Sequence, residues 1–131
     1  VMKLYEHIVS TADECAFLHR CHPDNIDKIM KTGVVCGPNP ESTMTWQPTD
    51  TDSALALYRT WRDRGDCAVV VKIPSVLWAD ANSGPSRLEA GVDERIGYFH
   101  EGKQDFAVRP EFVRGWIDRR NDEYHANPYR K

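Results

Sequence analysis

The sequence predicts an α+β fold, on three observations. Short runs of β-branched and aromatic residues recur along the chain, and the clearest run is residues 67–73. Two stretches, near residues 26–30 and 54–61, carry apolar residues at helical spacing. These segments lack the regular strand–helix–strand rhythm of a doubly wound parallel sheet. The length of 131 residues fits one domain, residues 1–131.

Charge and hydropathy argue against a nucleic-acid-binding face and against a membrane-spanning segment. The net charge is −3 and the pI is about 5.9, whereas broad nucleic-acid-binding faces are usually basic. No apolar run approaches the roughly 20 residues that a membrane-spanning helix needs. No signal peptide is visible. We therefore expect no membrane partner and a cytoplasmic location, and export as a toxin or effector stays open.

The first third of the chain predicts a strand followed by a helix. Residues 3–9 fit either a strand or a short helix, and residues 16–20 fit a strand that enters the core. Residues 23–25, Pro-Asp-Asn, favour a helix start, and Gly33 is a candidate end. One apolar stripe joins Ile26, Ile29 and Met30. Val34 then begins a new extended segment.

The middle of the chain predicts a second helix and the most apolar strand. Residues 43–47 read as a strand, and residues 49–52 are rich in helix-capping types. A helical stripe follows at Ala54, Leu57, Tyr58 and Trp61. Gly65 ends this helix, and the strand at residues 67–73 is stopped by Pro74.

The last third predicts a loop and short strands. Residues 82–91 are typical of a loop, and residues 97–100 and 106–108 fit short strands. Apolar residues at 113–117 fit either helical or extended spacing. From Asn121 the sequence turns polar, and we expect this tail to be loosely held.

One stretch resembles a known family. Residues 17–34 read FLHRCHPDNIDKIMKTGV. They resemble the first motif of ADP-ribosyltransferase-like domains, in which a strand ends in Leu-aromatic-His-Gly-Thr and Pro-acid-Asn opens a helix that ends near a Gly. The branch is the one related to diphtheria toxin, the poly(ADP-ribose) polymerases and the tRNA 2′-phosphotransferases. The matching histidine is His19.

Later segments follow the order of the same family, so that the resemblance covers residues 16–117. Residues 43–46 stand where the family has a strand bearing a Tyr, and residues 54–58 match an Ala-x-x-x-Tyr-like helix pattern. Residues 65–73 resemble its Gly-x-Val-Val-x-Val strand. Residues 105–113 resemble its last strand, which starts with a catalytic Glu and continues as Val-x-Pro-x-x-Ile.

The resemblance implies a fold and an activity. The fold is a compact split β-sheet with a few flanking helices, as in ADP-ribosyltransferases. The activity is NAD-dependent transfer of ADP-ribose, a pentosyltransferase reaction in which the nicotinamide–ribose bond of NAD is cleaved. NAD is then the substrate and partner, and a macromolecular acceptor is expected. The acceptor stays open between a protein side chain, a nucleic-acid base and a small molecule.

The resemblance also implies the site residues. His19 and Asp105 are the expected catalytic residues, because the histidine would bind a ribose and a carboxylate would stabilise an oxocarbenium-like transition state. Asp105 is shorter by one methylene than the usual Glu, and a register shift by one would put Gln104 there.

Four further residues complete the expected NAD site. Arg20 and Cys21 stand where the family has Gly and Thr, and a guanidinium such as that of Arg20 suits a pyrophosphate. Trp46 occupies the position of the Tyr. Trp46 or Tyr58 would supply an aromatic face for nicotinamide.

Two alternative functions stay open beside the transferase activity. One is an RNA 2′-phosphotransferase-like enzyme, which uses NAD differently. The other is a non-catalytic nucleotide- or protein-binding module on the same fold.

The cysteines and histidines allow other hypotheses. The four cysteines form no C-x-x-C pair, so we expect free, partly buried thiols and no metal site. A zinc site would need four ligands that converge on one point, and the candidates are Cys15, His19, Cys21 and His22. Their spacing along the chain matches no zinc signature. A thiol nucleophile would pair Cys21 with His22 or His100 and use Asp105 to orient the base.

Overall fold

The structure is a computed structural model that describes residues 4–37, 51–81, 95–99 and 106–130. The described residues form four α-helices and seven strands. The helices are α1 (Leu4–Ile8), α2 (Ile26–Thr32), α3 (Thr51–Asp63) and α4 (Ser75–Ala81). The strands are β1 (Glu14–Cys21), β2 (Val34–Gly37), β3 (Cys67–Pro74), β4 (Gly97–Phe99), β5 (Phe106–Val108), β6 (Val113–Asp118) and β7 (Glu123–Ala126).

The strands form two antiparallel sheets, which confirms the α+β class. The larger sheet has the order β1-β3-β6-β7, and the smaller one has the order β2-β5-β4. β1 pairs with β3 without interruption, from Glu14 opposite Pro74 to Cys21 opposite Cys67. The central strand β3 is buried on both faces from Cys67 to Val71, which explains its apolar sequence over those residues.

Each face of the larger sheet packs against a different helix. Because successive side chains on a strand point to opposite faces, Phe17 packs in a cluster with Met30 of α2, whereas Leu18 packs in a cluster with α3. We call these two sides the α2 face and the α3 face. The smaller sheet contributes Val34 and Val108 to the cluster on the α2 face.

The turn into α2 and the end of α2 follow from local sequence. Residues Pro23–Asn25 form a 3₁₀ turn, and the Nδ1 atom of His22 accepts a hydrogen bond of 3.1 Å from the Asp24 amide. Gly33 ends α2 with a φ of 95°, and a Cβ there would lie 1.9 Å from the Val108 carbonyl oxygen. Only glycine fits this position, so the predicted helix end is confirmed.

Most predicted elements within the described residues are confirmed. The strands predicted at 16–20 and 67–73 lie in β1 and β3, and α3 spans the predicted stripe. The short strands near 97–100 and 106–108 are β4 and β5. The first segment is the helix α1. The strand predicted at 43–47 and the loop predicted at 82–91 lie outside the described residues.

The prediction of a loosely held tail was wrong. β7 pairs along its length with β6, from Glu123 opposite Asp118 to Ala126 opposite Gly115. The Asn127 amide then donates to two backbone carbonyls, 3.0 Å from Met30 and 2.9 Å from Val113. The tail is therefore held in place, by backbone pairing with β6 and by the buried side chain of Asn127. The short helix α4 was not predicted.

In the part of the chain that the structure describes, no helix combines the length and the apolar composition needed to cross a membrane.

Candidate functional site

A cleft of about 460 Å³ lies between the end of β1 and α2. We call it the β1 cleft. Its polar lining includes His19, Arg20, His22, Asn25, Lys28 and Asp66. The volume is in the range of small-molecule sites, and the lining offers two cationic hydrogen-bond donors, Arg20 and Lys28, against one carboxylate, Asp66. The β1 cleft therefore suits an anionic ligand.

His19 reaches the β1 cleft from the α2 face of the larger sheet. Its cross-strand neighbour is Val69, and it shares a face with Phe17 and Cys21. The side chain is partly buried and lines the cleft. A neutral imidazole has one donor and one acceptor nitrogen, so His19 can hydrogen bond to a hydroxyl group of a ligand in the cleft.

Arg20 also lines the β1 cleft, although it alternates to the other face of β1. Its Nε atom lies 3.7 Å from the Oδ2 atom of Asp66, and its side chain is 51% exposed. Such a long, exposed ion pair is weak, since water screens both charges. The guanidinium therefore keeps most of its capacity to bind an anion that enters the cleft.

Cys21 lines the cleft as a buried thiol. It is buried opposite Cys67, and burial raises the pKa of its thiol to about 12. A thiol nucleophile must be deprotonated, so Cys21 is unsuited to that role. His22 caps the 3₁₀ turn through its Nδ1 atom, which engages the nitrogen that a base would use. The structure therefore gives no support to the thiol hypothesis, and His100 and Asp105 lie outside the described residues.

The structure separates Tyr58 from His19. Tyr58 projects from α3 onto the α3 face and is only 1% exposed, whereas His19 lies on the α2 face. Its hydroxyl donates to the Oδ1 atom of Asp122 at 2.6 Å, and burial raises the pKa of Tyr58. The larger sheet therefore stands between Tyr58 and the β1 cleft. Tyr58 anchors α3 to the β6–β7 turn and offers no ring face for a ligand beside His19.

Trp46, Gln104 and Asp105 lie outside the described residues, so their predicted roles stay predictions. The residue after Asp105 is Phe106, the first residue of β5. β5 pairs with β2, the strand that directly follows α2 and Gly33.

The residues of the zinc hypothesis do not converge. Cys15 and Cys21 are at opposite ends of β1, roughly 20 Å apart at the usual rise of a strand. Cys15 contacts the Oγ atom of Ser75 at 3.6 Å. Cys15, Cys21 and Cys67 are free thiols, as expected. Within the described ranges, no three His, Cys, Asp or Glu residues come together to hold a metal ion.

A second cleft, of about 540 Å³, lies on the other side of α2 and was not predicted. We call it the β6–β7 cleft. Its lining includes Cys67, Trp116, Asp118, Arg119, Arg120 and His125. The local sequence Gly-Trp-Ile-Asp-Arg-Arg was a usable signal, since it joins an aromatic residue to two arginines at a strand end. The cleft was missed because the tail was expected to be loosely held, whereas residues of the tail form β7, which supplies His125 to the cleft.

Asp118 organises the turn that borders the β6–β7 cleft. Its carboxylate accepts from the Arg120 side chain at 2.8 and 3.1 Å and from the Arg120 amide at 2.9 Å. These hydrogen bonds from Arg120 lower the pKa of Asp118 to about 2. The carboxylate is therefore ionised and fully engaged at neutral pH.

Comparisons of the chain with protein-family models, with curated proteins and with solved structures found no match.

Proposed function

We propose that the chain is an NAD-dependent ADP-ribosyltransferase-like enzyme, which cleaves the nicotinamide–ribose bond and transfers ADP-ribose to an acceptor. The observation that carries the proposal is the position of His19. It lines a ligand-sized cleft at the end of an edge strand, directly before the turn and helix that end at Gly33. This is the order of elements that the resemblance implies.

The lining of the β1 cleft supports a dinucleotide as the ligand. Arg20 and Lys28 are cations at the cleft, and a guanidinium binds phosphate oxygens in a bidentate way. His19 offers hydrogen bonds to a ribose hydroxyl. The two antiparallel sheets agree with the expected split β-sheet. The buried position of Tyr58 leaves Trp46 as the aromatic candidate for nicotinamide.

The reaction needs positioning and a negative charge near the ribose. As the bond to nicotinamide breaks, its electron pair leaves with the nicotinamide nitrogen, and positive charge develops on the ribose. A carboxylate close to that charge lowers the barrier. We assign this role to Asp105, and we assign to His19 the positioning of the ribose.

The test is nicotinamide release from NAD. Wild type is expected to release nicotinamide, and His19→Ala and Asp105→Ala are each expected to reduce the rate by about 100-fold. His7→Ala is the matched control, because His7 lies on α1, outside both clefts, and the variant is expected to keep the wild-type rate. Each variant needs a wild-type melting temperature for the comparison to hold.

Two outcomes would redirect the proposal. The absence of both nicotinamide release and any NAD-induced rise in melting temperature would contradict an NAD-dependent function. Binding of NAD without turnover would select the non-catalytic binding module. Asp105→Glu and Gln104→Glu then test the register, since the longer carboxylate is expected to raise the rate only at the catalytic position.

A further inference from the structure

The β6–β7 cleft has an aromatic wall. Trp116 of β6 and His125 of β7 are direct cross-strand partners. Their rings stack with centroids 5.0 Å apart and an angle of 26° between the planes. Both side chains are only partly buried and line the cleft. Because each ring covers one face of the other, a flat aromatic ligand in a cleft of this size can extend the stack on an outer ring face.

The charges around the β6–β7 cleft leave one cation in excess. The carboxylate of Asp118 is neutralised by Arg120, and Asp27 lies 3.3 Å from the Nζ atom of Lys31. Arg119 is exposed at the cleft, and no carboxylate among the described residues lies within ion-pair distance of it. An anion is therefore favoured at Arg119.

The same arrangement disfavours a metal ion. A hard cation needs free carboxylate oxygens, and the two oxygens of Asp118 already accept three hydrogen bonds from Arg120. Arg119 and Arg120 would also repel a cation. The ligand class that fits both the wall and the charge is an aromatic ring linked to an anionic group.

We propose that the β6–β7 cleft binds a nucleotide, with the base on the wall formed by Trp116 and His125 and the phosphate on Arg119. Bases stack on aromatic side chains whatever their sequence, and a guanidinium matches the geometry of phosphate oxygens. The site is separated from the β1 cleft by α2, and it does not depend on the proposed transferase activity. The nucleotide is either free or the end of a nucleic-acid strand, since both present the same base and phosphate.

The experiment is a calorimetric titration of the full chain with AMP. We expect a Kd of about 1 mM or tighter. Arg119→Gln is expected to weaken AMP binding about tenfold and to leave the binding of adenosine unchanged. Trp116→Ala is expected to weaken both ligands about tenfold or more. Arg59→Gln is the matched control, because Arg59 is exposed on α3 and lies outside both clefts.

The design keeps the two clefts apart. Loss of AMP binding in His19→Ala with retention in Arg119→Gln would place AMP in the β1 cleft and overturn the proposal. No binding of AMP or of a five-nucleotide oligoadenylate at about 5 mM would also overturn it. Since Trp116 also packs against the core, Arg119→Gln decides the outcome where Trp116→Ala fails to fold.

The oligoadenylate identifies the source of the nucleotide. Equal affinity for AMP and for the oligoadenylate supports a free nucleotide. Tighter binding of the oligoadenylate, lost in Arg119→Gln, supports the end of a strand.

Discussion

The two faces of the larger sheet differ in what they leave open to solvent. On the α3 face, Leu18, Tyr58 and Val70 pack into a cluster that α3 covers. On the α2 face, the apolar cluster gives way to a cleft on each side of the short helix α2. The 13-residue helix α3 covers much of its face, and a cleft of about 590 Å³ remains there beside α1 and β7. The seven-residue helix α2 instead has a cleft at each flank. Both candidate sites therefore lie on the α2 face, although its apolar cluster is the larger of the two.

Neighbouring residues of β1 give the sharpest test of this contrast. Leu18→Ala should destabilise the protein by about 2–5 kcal/mol, because it removes a fully buried side chain from the α3 face. His19→Ala should cost about 1 kcal/mol or less, because its partly buried side chain borders a cleft. Urea unfolding at neutral pH measures both free energies. Equal losses for the two variants would contradict the division between the faces.

The Tyr58 hydroxyl is expected to contribute the next largest effect. It joins α3 to the β6–β7 turn through Asp122, which also accepts a hydrogen bond of 2.8 Å from Arg62. Tyr58→Phe removes the buried hydrogen bond at constant volume and should cost about 1–1.5 kcal/mol. Tyr129→Phe is the control, since its hydroxyl bonds to Asp27 at the surface and should contribute little. If Tyr58 instead served NAD binding, Tyr58→Phe would lower nicotinamide release more than stability.

The low pKa of Asp118 predicts that the stability of the protein depends on this carboxylate only at acid pH. Its pKa is held at about 2 by Arg120, below the ordinary 3.8, so its stabilisation is complete above about pH 4. That contribution is lost as the pH falls from about 4 to 2 and the carboxylate protonates. The effect should not exceed about 1 kcal/mol, because the Arg120 side chain is 77% exposed and solvent screens the pair.

The measurement compares unfolding free energies of wild type and Asp118→Asn across this range. The difference between them should shrink toward pH 2. Asp63→Asn, at an exposed position on α3, is the control and should follow wild type at every pH. A constant difference between wild type and Asp118→Asn would show that Arg120 does not set the acid dependence.

The sequence predicted the elements whose signals are local. β3 was recognisable because three successive valines, Val69 to Val71, suit a strand buried on both faces. α2 was recognisable because Pro23 opens the turn before it and Gly33 marks its end. β7 was missed because its stability comes from pairing with β6, and its sequence is polar. Pairing between distant strands has no local signature.

The candidate sites were less predictable than the elements, for the same reason. Strand alternation and the family resemblance selected His19, which lies in the β1 cleft. The stripe that predicted α3 could not tell which face of the sheet Tyr58 would meet. The β6–β7 cleft depends on Trp116 and His125 coming together across two strands, and the sequence shows only the first as a notable residue.

Arg20 is expected to have the smallest effect on stability and a specific effect on function. Its ion pair with Asp66 is long and exposed, so Arg20→Gln should change the unfolding free energy by less than about 0.5 kcal/mol. If the guanidinium binds the pyrophosphate of NAD, the same variant should raise the KM for NAD about tenfold while kcat changes little, because that contact is equal in the ground and transition states. Lys31→Gln, on the far side of α2, should leave both constants unchanged. A wild-type KM in Arg20→Gln would show that Arg20 does not bind NAD. His19 would then be the residue of β1 on which the proposed NAD site depends.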